Sequence, residues 1–287
     1  MPMRRLTLAV MLALAGLLWS GPGPARAASP GWQYIAIPFT QPDGTTVQLV
    51  ALAIVPAGTG RFPLAIVSHG SPRDASVRRS MAPGTYQSVG QWLADQGYAV
   101  VIPMRRGYGQ SGGQSAESYG SCRSPDYVRG GLGTAQDIQA VVDFMRGQSF
   151  VDPARVVLVG HSAGAWGSIA VASLNPPGVV GVVAFAPGRG STAPDEDCGS
   201  DALVRAAARF GQTARVPTLW IFSQNDHFFA PALARSMFDA FEGASHAPAQ
   251  FVAAPSCSKD GHQLVLRCPD DWHATVAAFL RQVAGHG

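Results

Sequence analysis

Arg155-Val-Val-Leu-Val-Gly160-His-Ser-Ala-Gly164 is the stretch on which the fold turns. Arg155 to Val159 is an apolar, β-branched run, the composition of a strand buried on both faces. The small residues from Ala163 to Leu174 predict a helix. Ser162 therefore falls at a strand-to-helix turn, with a glycine two positions before it and another two after. A turn that sharp strains the serine backbone, and Gly160 and Gly164 let strand and helix approach without a Cβ between them. The serine hydroxyl is then exposed above the sheet edge, where a nucleophile is wanted.

Outward from this stretch, strands and helices alternate. Val47–Val55, Leu64–Val67, Tyr98–Pro103, Val179–Phe185, Thr218–Phe222 and Gln250–Ala253 read as strands. Thr85–Gln96, Thr134–Arg146, Ala202–Phe210, Ala232–Phe241 and Trp272–Val283 read as helices. In Thr134–Arg146 the residues Ile138, Val141, Val142 and Met145 recur at helical spacing. The alternation predicts an α/β fold with a mostly parallel central sheet and helices on both faces. About 30 residues separate Phe185 from Thr218, room for a short cap but not for a large lid.

Along the chain after Ser162 come an acid and then a histidine, each following a strand. Asp226 follows Leu219-Trp-Ile-Phe222, and His262 lies in the loop between Gln250–Ala253 and the last helix. A hydroxyl needs a base to take its proton and a third group to orient that base. Ser162, Asp226 and His262 are the candidates. Of the other histidines, His69 ends an early strand, His161 is inside the turn, His227 follows Asp226, and His246 and His286 read as surface. His273 lies within the terminal helix, poorly placed to meet a serine. Asp195-Glu-Asp197 reads as solvated surface, with a second reading as an anchor for a peptide amino group, and Asp260 as a turn residue.

With those residues in place, the chain resembles the α/β-hydrolases, in particular the dienelactone hydrolase and serine esterase or peptidase-like branch. The resemblance rests on His69-Gly70, Arg106-Gly-Tyr-Gly109 with Ser111-Gly112, the Gly160–Gly164 turn, Asp226 and Gly261-His262. It implies an oxyanion hole built from the Ala163 amide and the amide of Ser71, with Gly70 as the second choice for the latter. Pro72 has no N–H to offer. It implies acyl transfer through a serine-bound intermediate, with no cofactor and no metal. A carboxylic-ester hydrolase, a serine peptidase acting on short peptides and a non-catalytic binding protein of the same fold all remain open. Arg73, Arg106 and Arg189 could bond backbone carbonyls or a substrate carboxylate. His227, Phe228, Phe229 and Trp166 could wall a pocket, and Trp166 could equally be core.

Composition sets the setting. With 47% hydrophobic and 14% charged residues in 287, the chain suits one globular domain. Arg4-Arg5, the apolar Leu6–Trp19 and Ala25-Arg-Ala27 form a leader with a small-x-small cleavage site, which predicts export to the periplasm or medium. Residues 1–27 are thus read as a signal peptide and 28–287 as a single domain. Loss of Arg4, Arg5 and Arg26 takes the formal charge from +3 to zero. Nothing then argues for a nucleic-acid partner or for stable membrane insertion, and oligomeric state is not legible. Four cysteines in an exported chain predict two disulfides. Three connectivities are open, as are buried free thiols; the local pair Cys257–Cys268, closing a loop around His262, is favoured and would leave Cys122–Cys198.

Overall fold

The computed structural model describes residues 31–285. The leader expected over residues 1–27, and His286, lie outside the described residues. Among the described residues, twelve strands and seven α-helices follow in chain order, with short 3₁₀ turns between them. The early strands are β1 (Gln33–Thr40), β2 (Thr46–Ile54), β3 (Phe62–Ser68) and β4 (Ala99–Pro103), with α1 (Gln87–Asp95) before β4. A two-residue hairpin, β5 (Gly120–Ser121) and β6 (Ser124–Pro125), precedes α2 (Tyr127–Arg146). Then come β7 (Val151–His161), α3 (Ala163–Leu174) and β8 (Val179–Phe185). A second hairpin, β9 (Ser191–Ala193) and β10 (Glu196–Asp197), leads into α4 (Ser200–Gly211). The chain closes with β11 (Thr218–Ser223), α5 (Pro231–Glu242), β12 (Ala249–Ala254), α6 (Leu264–Arg267) and α7 (His273–Ala284).

Eight strands form one sheet in the order β1-β2-β4-β3-β7-β8-β11-β12. β1 and β2 pair antiparallel, as do β2 and β4, and every other neighbour pair is parallel. Alternate residues of the central strands feed the two faces. Leu64, Ile66, Val156 and Leu158 pack with α2, α3, α4 and α5, whereas Ala65, Val67, Val157 and Val159 pack with α1, α6 and α7. The sheet is therefore covered on both faces, as the alternation predicts. No helix among the described residues is long and apolar enough to cross a membrane.

Two elements depart from the sequence reading. α2 begins at Tyr127, seven residues before Thr134, because Gly130, Gly131 and Gly133 are in the helix despite their low propensity. A Cβ at Gly131 would press on Phe210 and Trp166, and one at Gly133 would collide with the Ala116 carbonyl. β1 carries Pro38 and an exposed, polar-flanked pattern, which suits a sheet edge better than any periodicity signal. Between Phe185 and Thr218 stand only the β9–β10 hairpin and α4, so there is no large lid. Both expected disulfides are present: Cys257–Cys268 brackets the His262 loop, and Cys122–Cys198 ties the β5–β6 hairpin to the end of β10.

Candidate active site

Ser162 sits between β7 and α3 with φ 54° and ψ −121°. This is a conformation that costs a non-glycine residue roughly 1–3 kcal/mol and persists only where its surroundings impose it. Here the surroundings are backbone: Ser162 N–H donates to the Phe185 carbonyl, and Trp166 N–H donates to the Ser162 carbonyl. A Cβ at Gly160 would strike the Ala165 backbone, and one at Gly164 would strike the Ser68 and His69 carbonyls. Both glycines are therefore required by close approach, as the Gly-x-Ser-x-Gly spacing predicts.

His262 lies 3.0 Å through Nδ1 from Asp226 Oδ2, and both side chains are buried. Asp226 is fixed from the other side, since Oδ1 accepts from the Phe228 and Phe229 amides at 2.7 and 3.0 Å. Asp260, read as a turn residue, joins the two loops: Oδ1 accepts from His262 N–H at 2.9 Å and from His227 N–H at 3.1 Å. Phe228 stacks on the His262 ring, 3.8 Å between centroids and 7° from coplanar. Arg73 covers the far face of Phe228, its Cζ 3.6 Å from the ring centre. An open cleft of about 90 Å³ is lined by Ser162 and Ala163 together with Ser71, Pro72, Phe228 and Phe229. Ser162 and His262 thus share the Phe228 wall.

The loop after β3 is locked in place beside Ser162. His161 Nε2–H donates to the His262 carbonyl at 2.8 Å, which leaves Nδ1 to accept from Tyr86 Oη–H at 2.7 Å. Tyr86 Oη in turn accepts from Gly70 N–H at 3.1 Å. The Gly70 amide is consequently spent, and Ser71, the other loop residue weighed from sequence, lines the cleft. Burial, then the neighbouring His262, pushes the His161 pKa down to about 3. His69 is also buried; its Nδ1–H donates to the Gly70 carbonyl at 2.7 Å, and Nε2 accepts from Arg105 N–H at 3.2 Å. Burial, then the Arg105 charge, lowers its pKa to about 3. Both rings are neutral struts.

Glu117, which the sequence reading passed over, is the hub beneath the cleft. Its carboxylate accepts from Arg105 Nε, from Arg189 Nη1 at 3.0 Å and from Tyr108 Oη–H at 2.9 Å. Tyr108 Oη accepts from Ser71 Oγ–H at 2.7 Å, so the Ser71 side chain is tethered to Glu117. Burial alone would raise the Glu117 pKa, but Arg105 and then Arg189 overcome it and hold the group well below the ordinary carboxylate range. The signal in the sequence was faint: Glu117 is the lone acid between Asp95 and Asp126, on a loop close after Arg105-Arg106.

Other candidates resolve differently. Arg106 bonds neither backbone carbonyls nor the cleft; it pairs with Asp137 on α2 at 2.6 Å, because that buried carboxylate needs a cation. Trp166 is core, fully buried, with Nε1–H on the Tyr127 carbonyl. His273 stacks on Trp92 at 4.7 Å on the other side of the sheet from α3. Asp195 pairs with His227 Nδ1 at 2.9 Å, and Asp197 accepts from Ser200 Oγ–H at 2.8 Å. Arg73 donates to Ser191 Oγ and to the Ala193 and His227 carbonyls, and with Arg189 it lines the cleft. Among the described residues no group of three or more His, Cys, Asp or Glu is placed to hold a metal ion.

A strained serine at a strand–helix turn, with a buried His–Asp pair after the later strands of a mostly parallel sheet, fits the architecture of the α/β-hydrolases. The chain has the α/β-hydrolase fold. A family model described as serine aminopeptidase, S33, matches residues 79–214, which include Ser162 but stop short of Asp226 and His262. An uncharacterized protein of Mycobacterium tuberculosis is 30% identical over 118 residues, 41% of this chain. The chain spans about a third of that relative's length, 34%. Among solved structures, the esterase Pf2001 of Pyrococcus furiosus superposes with a TM-score of 0.59 at 18% identity, over 88% of this chain and 93% of its own. A predicted CIB-like hydrolase of Thermoplasma acidophilum also gives 0.59, at 20% identity, over 88% of this chain and all of its own. Dipeptidyl peptidase 4 of Porphyromonas gingivalis gives 0.61 at 15% identity, over 91% of this chain and 36% of that larger protein. At these identities the likeness to the α/β-hydrolase structures is one of fold.

Proposed function

We propose that the protein is an exported serine hydrolase that cleaves carboxylic esters, with Ser162 as nucleophile, His262 as base and Asp226 as its orienting acid. The observation that carries the reading is the buried 3.0 Å contact of His262 Nδ1 with Asp226, beside a serine held at φ 54°. With its Nδ1–H donated to Asp226, His262 presents Nε2 as the acceptor for a proton.

Ser162 Oγ attacks the ester carbonyl carbon as its proton passes to His262. The carbon–oxygen bond to the alcohol then breaks, and His262 returns the proton to the departing oxygen. Water, deprotonated by His262, attacks the acyl-enzyme, and the acid leaves as Ser162 regains its proton. The anionic oxygen of each tetrahedral stage rests on the Ala163 and Ser71 amides, each worth about 3–4 kcal/mol of transition-state stabilisation. Ala163 is the first residue of α3, where the N–H has no partner within the helix.

The peptide reading is the weaker one. It needs an acid to hold a substrate amino group, and none of Asp195, Glu196 and Asp197 lines the cleft beside Ser162. Two disulfides support export, and with it removal of residues 1–27 as a leader. The reading is tested with a fluorescent phosphonate on the mature protein, alongside p-nitrophenyl esters and aminoacyl-p-nitroanilides. Labelling lost in Ser162→Ala, with turnover of the esters, is the expected result. Labelling that survives that substitution, or turnover of the anilides alone, would reject it.

A further inference from the structure

Three arginines face the cleft beside Ser162: Arg73, Arg78 and Arg189. Their charges are poorly matched by the protein. Glu117 is shared between Arg189 and Arg105, so one carboxylate serves two guanidinium groups. Arg73 bonds only neutral partners, the Ser191 hydroxyl and the Ala193 and His227 carbonyls. Arg78 has no ion pair among the described residues. Among the residues that line the cleft there is no carboxylate.

Two donors in this set are buried and unused. Arg189 is nearly inaccessible, 7% exposed, yet its Nε finds no acceptor, and the Nε of Arg78 is in the same state. Leaving charge-bearing donors desolvated is costly, and protein structures seldom tolerate it without a ligand or a solvent partner. The remaining lining groups are also suited to an anion. Tyr119 and Ser191 carry hydroxyls, and Pro72, Ala163, Phe228 and Phe229 supply the apolar part of the lining.

We propose that this cleft binds a carboxylate, so that the ester taken by Ser162 carries an anionic group, held by Arg78 and Arg189 with Arg73 at the rim. The proposal rests on the ester-hydrolase reading above. It also gives that reading a direction, since a substrate with a free amino group would meet three like charges at the same place.

The test compares esters matched in size but not in charge. For the acyl side the pair is monomethyl adipate and dimethyl adipate; for the alcohol side it is 3-acetoxybenzoate and 3-acetoxybenzamide. The expected result is a kcat/KM preference of about tenfold or more for the anion in at least one pair, the pair showing which side of the ester enters the arginine cleft. In Arg78→Gln that ratio should fall by about tenfold. Arg73→Gln should lower it less, because Arg73 is exposed and screened. A ratio of one or below in both pairs, with the esters still turned over, would overturn the anion site and leave the hydrolase standing. Calorimetry with benzoate tests the cleft without turnover. Binding weakened by Arg78→Gln supports the site even if no ester is cleaved, and absence of both binding and preference refutes it.

Discussion

The Tyr86 hydroxyl donates to His161 Nδ1 at 2.7 Å, and the same oxygen accepts from Gly70 N–H. One side chain from the turn before α1 thus joins the serine turn to the loop after β3. Through His161 Nε2 the chain of bonds reaches the His262 backbone. Tyr86→Phe keeps the ring and deletes this oxygen, stranding a buried amide and a buried imidazole nitrogen. Each stranded group costs about 1–3 kcal/mol, so the variant should unfold at clearly lower denaturant. The Ser71 amide should also lose its fixed place, lowering kcat for a small ester by roughly tenfold with little change in KM. Unaltered kcat in a variant shown to be destabilised would mean that the network braces the fold but not the oxyanion position.

Asp226→Asn separates orientation from fold. An asparagine oxygen can still accept from the Phe228 and Phe229 amides, so the loop should survive. Its amide would face His262 Nδ1 with a donor and favour the other tautomer, in which Nε2 is protonated and unable to act as base. We expect kcat to fall by roughly 10⁴-fold with stability changed by less than about 1 kcal/mol. Steady-state kinetics and thermal melts on the same preparation check both halves.

The sheet and the site were legible in the sequence to very different depths. Ser162, Asp226 and His262 each follow a strand, and strand composition is a local signal that survives without tertiary knowledge. The same holds for Gly160 and Gly164, whose role is set by neighbours within five residues along the chain or by the adjacent strand. Glu117, Tyr86 and Arg78 gave no such signal. Their meaning comes from contacts across 9 to 75 residues, such as Glu117 with Tyr108 and Tyr86 with His161, on loops without periodicity. Arg106 was misjudged for the same reason, because its partner Asp137 is 31 residues further on, buried on α2.

Glu117→Gln should be among the most damaging single substitutions. It removes the carboxylate from a buried cluster of Arg105, Arg189 and Tyr108, leaving two guanidinium groups without a counter-charge. Breaking a buried pair from one side costs about 3–5 kcal/mol. Arg105 also holds Ser68 Oγ and the His69 carbonyl, so the loss spreads to the end of β3. Denaturant titration checks the magnitude. A change below about 1 kcal/mol would show that water satisfies the arginines.

The two disulfides close loops of different size, with partners 76 and 11 positions apart in sequence. In the chain-entropy model the Cys122–Cys198 bridge stabilises by about 4.5 kcal/mol and Cys257–Cys268 by about 2.8 kcal/mol. Cys122→Ser with Cys198→Ser should therefore destabilise more. It also frees the β5–β6 hairpin from the β10 end, beside Tyr119 and Ser191 in the cleft lining. A raised KM is expected from this pair. Cys257→Ser with Cys268→Ser should act instead on kcat, through the His262 loop. The reverse pattern in the kinetics would contradict this division of labour.

Acid should weaken the fold before it protonates most carboxylates. His69 and His161 have pKa values held to about 3, against an ordinary value of 6.5, chiefly because burial penalises the charged ring. The unfolded chain takes up these two protons as pH falls below 6.5, whereas the folded chain does not. Their contribution to stability is thus complete above pH 6.5 and is lost between about 6.5 and 3. Well inside that window each histidine contributes a slope of about 1.4 kcal/mol per pH unit, so the two together give about 2.7. Glu117, held below its ordinary range, adds a loss in the same direction only at lower pH. Urea midpoints at pH 7.5, 6.5, 5.5 and 4.5 should trace this slope in the native protein. In His69→Gln, where no proton can be taken up at that position, the slope should fall by about half. An equal slope in that variant would place the acid sensitivity elsewhere in the chain.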